Sequence, residues 1–73
     1  MIKIDDSQQI GEIVRKTRRE QGLDQASFAS ICQFSERPLK AIEKGDGSLS
    51  TEKLLKIFSE LGIQVYLELP END

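Results

Sequence analysis

The 73-residue chain has no histidine, no tryptophan and one cysteine, and aromatic residues make up only 5% of it. Without histidine it lacks the side chain most often used for general acid–base catalysis near neutral pH. Cys32 has no partner for an internal disulfide, and a zinc site would lack an imidazole and a second thiolate. No glycine-rich phosphate loop occurs, and the adjacent carboxylates of Asp5 and Asp6 need not converge. The sequence therefore predicts a protein that is not an enzyme and holds no metal or cofactor.

Long apolar runs are missing too. None approaches the ~18 residues that span a bilayer, and Met1–Ile4 is too short for the hydrophobic region of a signal peptide. We therefore expect a cytoplasmic protein with one domain over residues 1–73. A core of this size seldom contributes more than roughly 3–5 kcal/mol, so we expect a second subunit to add stability. Cys32 lies on an apolar helix face and is expected to be an inert buried thiol.

The net charge of −3 conceals an uneven distribution of charge along the chain. Residues 15–44 contain seven basic and four acidic residues, whereas residues 45–73 contain two basic and six acidic ones. This pattern predicts one basic face, suited to nucleic acid, and one acidic end. The alternative is that these charges cover ordinary solvated helix surfaces.

Residues 23–45 have the pattern of a helix-turn-helix, in which two short helices are joined by about one turn. Asp24 and Ser35 are placed to cap the two helices, and Pro38 falls in the first turn of the second, where a missing N–H is tolerated. Gly45 is placed to end that helix. The apolar faces expected to meet are formed by Phe28, Ala29, Cys32, Leu39 and Ile42.

Two further helices are expected on either side of this pair. The first begins at a capping box of Asp6 and Gln9, with Ser7 as the alternative cap, and ends at about Gln21. The last begins after Ser48 or Ser50 and ends at Gly62. The fold class predicted is all-α, a compact helix bundle.

Beyond the last helix the apolar period changes to two, which predicts a β-strand over residues 63–69 and a short tail over residues 70–73. A lone strand leaves its backbone groups unpaired. It pairs either with the same strand of a second subunit across a two-fold axis or with Ile2–Ile4 of its own chain. We favour the dimer, because Ile2–Ile4 is barely long enough for a ladder. The residues expected at the interface are Ile63, Val65, Tyr66, Leu67 and Leu69.

Several spaced elements resemble the Xre/Cro/C1 family of helix-turn-helix DNA-binding domains. These elements are Gly22–Gln25, Phe28–Ala29, Ser35 and Ile42–Gly45. The resemblance extends from Ile10 to about Gly62 and implies a lambda-repressor-like bundle with Ser35–Lys44 as its recognition helix. It also places Arg18 and Glu43 where the family forms a structural ion pair.

The same resemblance implies a set of DNA-binding residues: Gln25, Ser35, Glu36, Arg37, Lys40, Ala41 and Lys44. Arg37 can donate two hydrogen bonds to guanine O6 and N7, and Glu36 can accept one from cytosine N4. Lys40 suits a phosphate, and Ala41 can pack on a thymine methyl group. Ser35 and Lys44 would flank these as phosphate contacts, and Gln25 would contact the DNA backbone.

Three features depart from the family pattern. Gln33 stands where glycine is common, so the chain either adopts a left-handed conformation at a penalty or uses another turn. Pro38 stands where a small polar residue often contacts DNA, so one base contact is absent. The overall acidity makes a dimer, with two half-sites about one helical turn apart, the expected binding unit.

A helix bundle followed by a short alternating strand is similar to HipB-type antitoxins, whose genes accompany a HipA-like kinase toxin. That resemblance implies a homodimeric transcriptional repressor that binds a palindromic operator of double-stranded DNA, autoregulates its operon and neutralises the toxin. Two alternatives stay open. The chain is a phage-type or stand-alone regulator without a toxin, or a protein-interaction module that has lost DNA binding.

Overall fold

The computed structural model describes residues 1–71 and consists of four α-helices. They are α1 (Ser7–Glu20), α2 (Gln25–Cys32), α3 (Glu36–Glu43) and α4 (Thr51–Leu61). The predicted all-α class is confirmed for this part of the chain. Residues 72 and 73 of the predicted tail lie outside the described residues. No helix in residues 1–71 combines the length and apolar character needed to cross a bilayer.

Three of the four helices begin at side-chain caps. The Asp6 carboxylate accepts from the Gln9 N–H at 2.9 Å, and the Gln9 side chain in turn accepts from the Asp6 N–H, so the capping box is confirmed. Asp24 accepts from the Ser27 N–H at 2.7 Å, which lowers the pKa of its carboxyl. Ser50, and not Ser48, caps α4. Each cap bonds the third N–H of its helix, as capping chemistry requires.

Ser35 is the exception. It occupies the capping position of α3 with an extended backbone, but its hydroxyl makes no capping hydrogen bond, so that expectation was wrong. The third residue of α3 is Pro38, which has no N–H to donate. The fixed backbone angle of Pro38 suits the first turn of the helix, but its missing N–H leaves the Ser35 hydroxyl without the donor that the other caps bind.

In the turn between α2 and α3, Gln33 adopts the left-handed backbone conformation. Gln33 has φ 66° and ψ 35°, and it is the only non-glycine residue with positive φ among those described. The following N–H, that of Phe34, donates to the Ala29 carbonyl at 3.1 Å. The turn thus closes α2 as a glycine would, at a cost of about 1 kcal/mol in backbone conformation.

All four helices contribute to one core. Its buried members are Val14, Phe28, Cys32, Leu39, Ile42, Ile57 and Leu61. The Cys32 side chain lies within this cluster, where burial raises the pKa of its thiol. A neutral thiol in an apolar cluster is a poor nucleophile, which agrees with an inert structural role.

Helix α1 approaches the end of α3 closely at Gly11. A Cβ atom at this position would overlap the backbone carbonyl oxygen of Ile42 and lie 3.1 Å from that of Glu43. Since carbonyl oxygens cannot move aside as a side chain can, only glycine allows this crossing. The contact fixes the carboxyl-terminal end of α3 against α1 and thereby positions Glu43.

Residues 63–71 carry no strand within the single chain, and the pairing with Ile2–Ile4 is not formed. Ile2–Ile4 offers only three residues, which is the lower end of the usual strand length. The Tyr66 hydroxyl donates to the Gln64 side-chain oxygen, which places these two on one side of the segment. Leu67 and Leu69 are 84% and 77% exposed, so the apolar alternation is unpartnered in one chain.

Candidate nucleic-acid interface

Arg18 of α1 and Glu43 of α3 form a buried, two-pronged ion pair. The Arg18 Nε donates to Glu43 Oε2 at 2.7 Å and Nη2 donates to Oε1 at 2.9 Å. Their side chains are only 6% and 4% exposed. The hydrogen bond to Glu43 raises the pKa of Arg18 despite its burial. The pair joins the inner side of α3 to α1 and orients α3.

The amino terminus of α2 is attached to the same pair. Arg18 Nη1 donates to the Leu23 carbonyl at 2.7 Å, and the Gln25 amide donates to Glu43 Oε1 at 3.2 Å. Glu43 therefore accepts from both α1 and α2. Among the described residues, no buried side-chain nitrogen or oxygen lacks a hydrogen-bond partner. The geometry gives Gln25 a structural hydrogen bond and leaves its side-chain oxygen available.

An open groove of about 930 Å³ lies over this network, lined by α1, by the turn into α2 with the start of α2, and by α3 with the residue after it. Its charged lining residues are Arg15, Arg18, Arg19, Asp24, Glu36, Lys40, Glu43 and Lys44. Since Arg18 and Glu43 neutralise each other, four other cations face two other carboxylates across the opening. We call this feature the basic groove.

The structure separates the predicted recognition residues into two groups. Gln25, Glu36, Lys40 and Lys44 line the basic groove. Ser35, at the start of α3, and Arg37 and Ala41, within it, do not line the groove. Arg37 is exposed and Ala41 is partly buried. One side of α3 thus borders the groove, and the adjacent side presents Arg37 to solvent.

Glu36 and Lys40 contact each other on the groove side of α3. Lys40 Nζ lies 3.5 Å from Glu36 Oε2, with both side chains about half exposed. Such exposed pairs one turn apart contribute a few tenths of a kcal/mol. Lys40 can therefore exchange this contact for a phosphate at small cost.

Arg15 and Arg19 of α1 line the groove opposite α3, although sequence reasoning placed them only in a basic segment. Their signal was present in the spacing. Arg15 is one turn before Arg19 and three residues before Arg18, and a residue three positions away lies on the same helix face. Because the Arg18–Glu43 pair directs this face of α1 toward α3, the spacing also predicts that Arg15 and Arg19 lie near α3.

The residues expected at a dimer interface are exposed, apart from Ile63, which packs partly against the core. Val65 and Tyr66 are 51% and 67% exposed. Leu55 of α4, itself half exposed, lies beside Ile63 and Val65 in a shallow depression of about 400 Å³. An apolar surface therefore runs from α4 into the carboxyl-terminal segment.

Comparison with known proteins bears on this arrangement. A family model described as Helix-turn-helix matches residues 14–66. No curated protein matches the sequence. A solved structure described as a HipA-HipB-O2-O3 complex is similar with a TM-score of 0.85 and 17% identity, covering 97% of this chain and 100% of that one. A HipB-O4 20mer complex and a structure described as MDT Protein each give a TM-score of 0.84 at 17% identity, with the same coverage. At this identity the likeness is one of fold.

Proposed function

The chain belongs to the helix-turn-helix family, and from this premise we propose that it is a sequence-specific DNA-binding repressor that inserts α3 into the major groove. The observation that carries the proposal is the two-sided environment of α3. Its inner side is held by core packing and by the buried Arg18–Glu43 pair. Its outer side presents exposed polar residues beside the basic groove.

In this proposal the α3 residues have distinct roles. Arg37 donates to guanine O6 and N7, and Ala41 packs against a thymine methyl group. Glu36 accepts from cytosine N4, which releases Lys40 to a phosphate. These roles explain how a helix that carries the half-exposed carboxylate of Glu36 beside its cations discriminates between bases and does not merely attract phosphates.

The groups that position the protein surround α3. Lys44 supplies a cation at its end, and Ser35 supplies an exposed hydroxyl at its beginning. Because Pro38 provides no N–H for capping, the Ser35 hydroxyl can bond a phosphate without losing a capping bond. Gln25 contributes the oxygen of an amide whose nitrogen is already bonded to Glu43.

The functional test compares Arg37→Ala with Lys44→Ala. We expect Arg37→Ala to lose about 1–3 kcal/mol of discrimination at one base pair, because a base contact disappears. Lys44→Ala should weaken all sequences alike and reduce the salt dependence, because it removes a phosphate contact. Fluorescence anisotropy, with the duplex selected from random DNA and its single-base-pair variants, measures both. Unchanged base preference in Arg37→Ala would remove that residue from readout.

We further propose that the protein is an antitoxin that acts as a homodimer on a palindromic operator and neutralises a HipA-like kinase. Support comes from the similarity of its fold to a chain of a structure described as a HipA-HipB-O2-O3 complex and to a chain of a HipB-O4 20mer complex. The test is purification of this chain together with the proteins encoded beside it, and we expect a kinase to co-purify with it stoichiometrically. A chain that binds an operator with no such partner is a stand-alone regulator.

The dimer is tested by a charge on the apolar side of residues 63–69. In the pairing proposed, Leu67→Asp places a carboxylate from each subunit in the apolar interface. We expect dimerisation to weaken roughly 100-fold, from the lost burial of two leucines together with the repulsion between two carboxylates. Glu68→Gln, on the other side of the segment, is the matched control. Sedimentation equilibrium that gives Leu67→Asp the same dimer mass as the control places the interface elsewhere.

A further inference from the structure

The far wall of the basic groove carries two arginines for which the fold gives no structural use. Arg15 and Arg19 are exposed residues of α1, one helical turn apart, and both line the groove. Neither forms an ion pair within residues 1–71. Two cations one turn apart on a helix repel each other, so their placement costs the free domain a small amount of stability.

The carboxylates of the groove are already engaged. Glu43 is bonded to Arg18, Glu36 lies within 3.5 Å of Lys40, and Asp24 accepts from the first turn of α2. This leaves Arg15, Arg19 and Lys44 facing the opening without a partner among the described residues. A groove in which three cations lack partners favours an extended anion over a neutral or cationic ligand.

The position of the groove indicates which anion this is. The groove borders α3 along the side formed by Glu36, Lys40 and Lys44. If α3 occupies a major groove, the phosphate backbone that bounds that groove passes directly beside it. The wall opposite α3 then meets the same backbone from the outside.

We propose that Arg15 and Arg19 bind successive phosphates of one DNA strand, so that α1 and α3 hold this strand between them. The inference rests on the function proposed above and adds α1 to the DNA-binding surface. Arg15 and Arg19 are separated by roughly 6 Å along the helix axis, enough to reach two neighbouring phosphates. Both contacts are made to the backbone, so they contribute affinity and orientation without base preference.

The test uses Arg15→Gln, Arg19→Gln and the double variant, with Lys16→Gln as the matched control. Lys16 is also an exposed cation of α1, but it does not line the groove. Binding to the selected duplex and to one unrelated duplex of equal length is measured by anisotropy between about 50 and 200 mM salt. Arg15→Lys and Arg19→Lys retain the charge and separate loss of a phosphate contact from loss of packing.

The slope of log K against log salt is negative, and we expect each arginine-to-glutamine change to reduce its magnitude by about 0.9 per bound protomer. Affinity for both duplexes should fall roughly tenfold at low salt, with their ratio unchanged. Lys16→Gln and the lysine variants should keep the parental slope.

Two results overturn the inference while the proposed function stands. In the first, the parent binds its selected duplex and the arginine variants have the same slope of log K against log salt as the parent. In the second, Lys16→Gln reduces that slope as much as the arginine variants do, which would indicate general electrostatic attraction and not specific contacts. A parent that binds neither duplex in a salt-dependent way refutes the proposed function itself. The two failures are therefore distinguishable in one set of titrations.

Discussion

Replacing Glu43 by alanine is expected to unfold a large share of the protein at room temperature. The change leaves the Arg18 guanidinium, 6% exposed, without the carboxylate that raises its pKa. Removing one partner of a buried ion pair costs about 3–5 kcal/mol. A core of this size contributes roughly the same amount in total. Urea denaturation followed by circular dichroism measures the loss.

Two variants make that expectation specific. Glu36→Ala breaks the exposed pair with Lys40 on the same helix and should cost less than about 0.5 kcal/mol. Arg18→Met combined with Glu43→Leu removes both charges, and it should recover most of the stability lost by Glu43→Ala. If Glu43→Ala and Glu36→Ala unfold at the same urea concentration, the buried pair does not hold α3.

Replacing Gly11 by alanine is expected to destabilise the domain, although the same change in most helix interiors stabilises by about 1 kcal/mol. The new Cβ would overlap the Ile42 carbonyl oxygen, and both atoms belong to packed helices. Overpacking of this kind costs about 1–3 kcal/mol or more, because α1 must move away from α3. Thermal and urea unfolding show directly whether Gly11→Ala raises or lowers the stability of the domain.

The control for Gly11→Ala is Glu12→Ala, an exposed neighbour on the same helix, which should change stability by less than about 0.5 kcal/mol. A Gly11→Ala protein as stable as the parent would show that the two helices are not in close contact. Reduced DNA affinity in a folded Gly11→Ala protein is a further expected result, since the displacement moves the end of α3.

Local chemistry made the helix ends predictable. The caps at Asp6 and Asp24 follow from a carboxylate placed three residues before a free N–H. The missing cap at Ser35 could also have been read from the sequence, since Pro38 occupies the position whose N–H would be needed. That expectation was wrong because a capping hydrogen bond needs an N–H donor as well as the capping side chain.

Features that depend on packing between residues distant in the sequence were harder to predict from it. The crossing at Gly11 brings α1 to α3, and no local pattern marks a glycine in a helix as a point of contact. The groove positions of Arg15 and Arg19 depend on that crossing. The roles of Arg18 and Glu43 were expected through family resemblance, because their sequence separation gives no periodic signal.

The carboxyl-terminal segment shows a different limit. Period-two alternation over residues 63–69 describes a segment able to form a strand, but a strand exists only when a second one supplies hydrogen bonds. The single chain supplies none within the described residues. The alternating sequence therefore predicts a segment that can form a strand, and whether it does depends on a second strand to pair with.

The most direct test of α3 in the major groove is substitution of each guanine in the selected duplex by 7-deazaguanine. This base lacks the N7 acceptor in the major groove but retains normal pairing. We predict that one position per half-site weakens binding of the parent roughly tenfold or more and does not weaken binding of Arg37→Ala further. Parental affinity that stays the same at every substituted guanine would contradict recognition by Arg37 on α3.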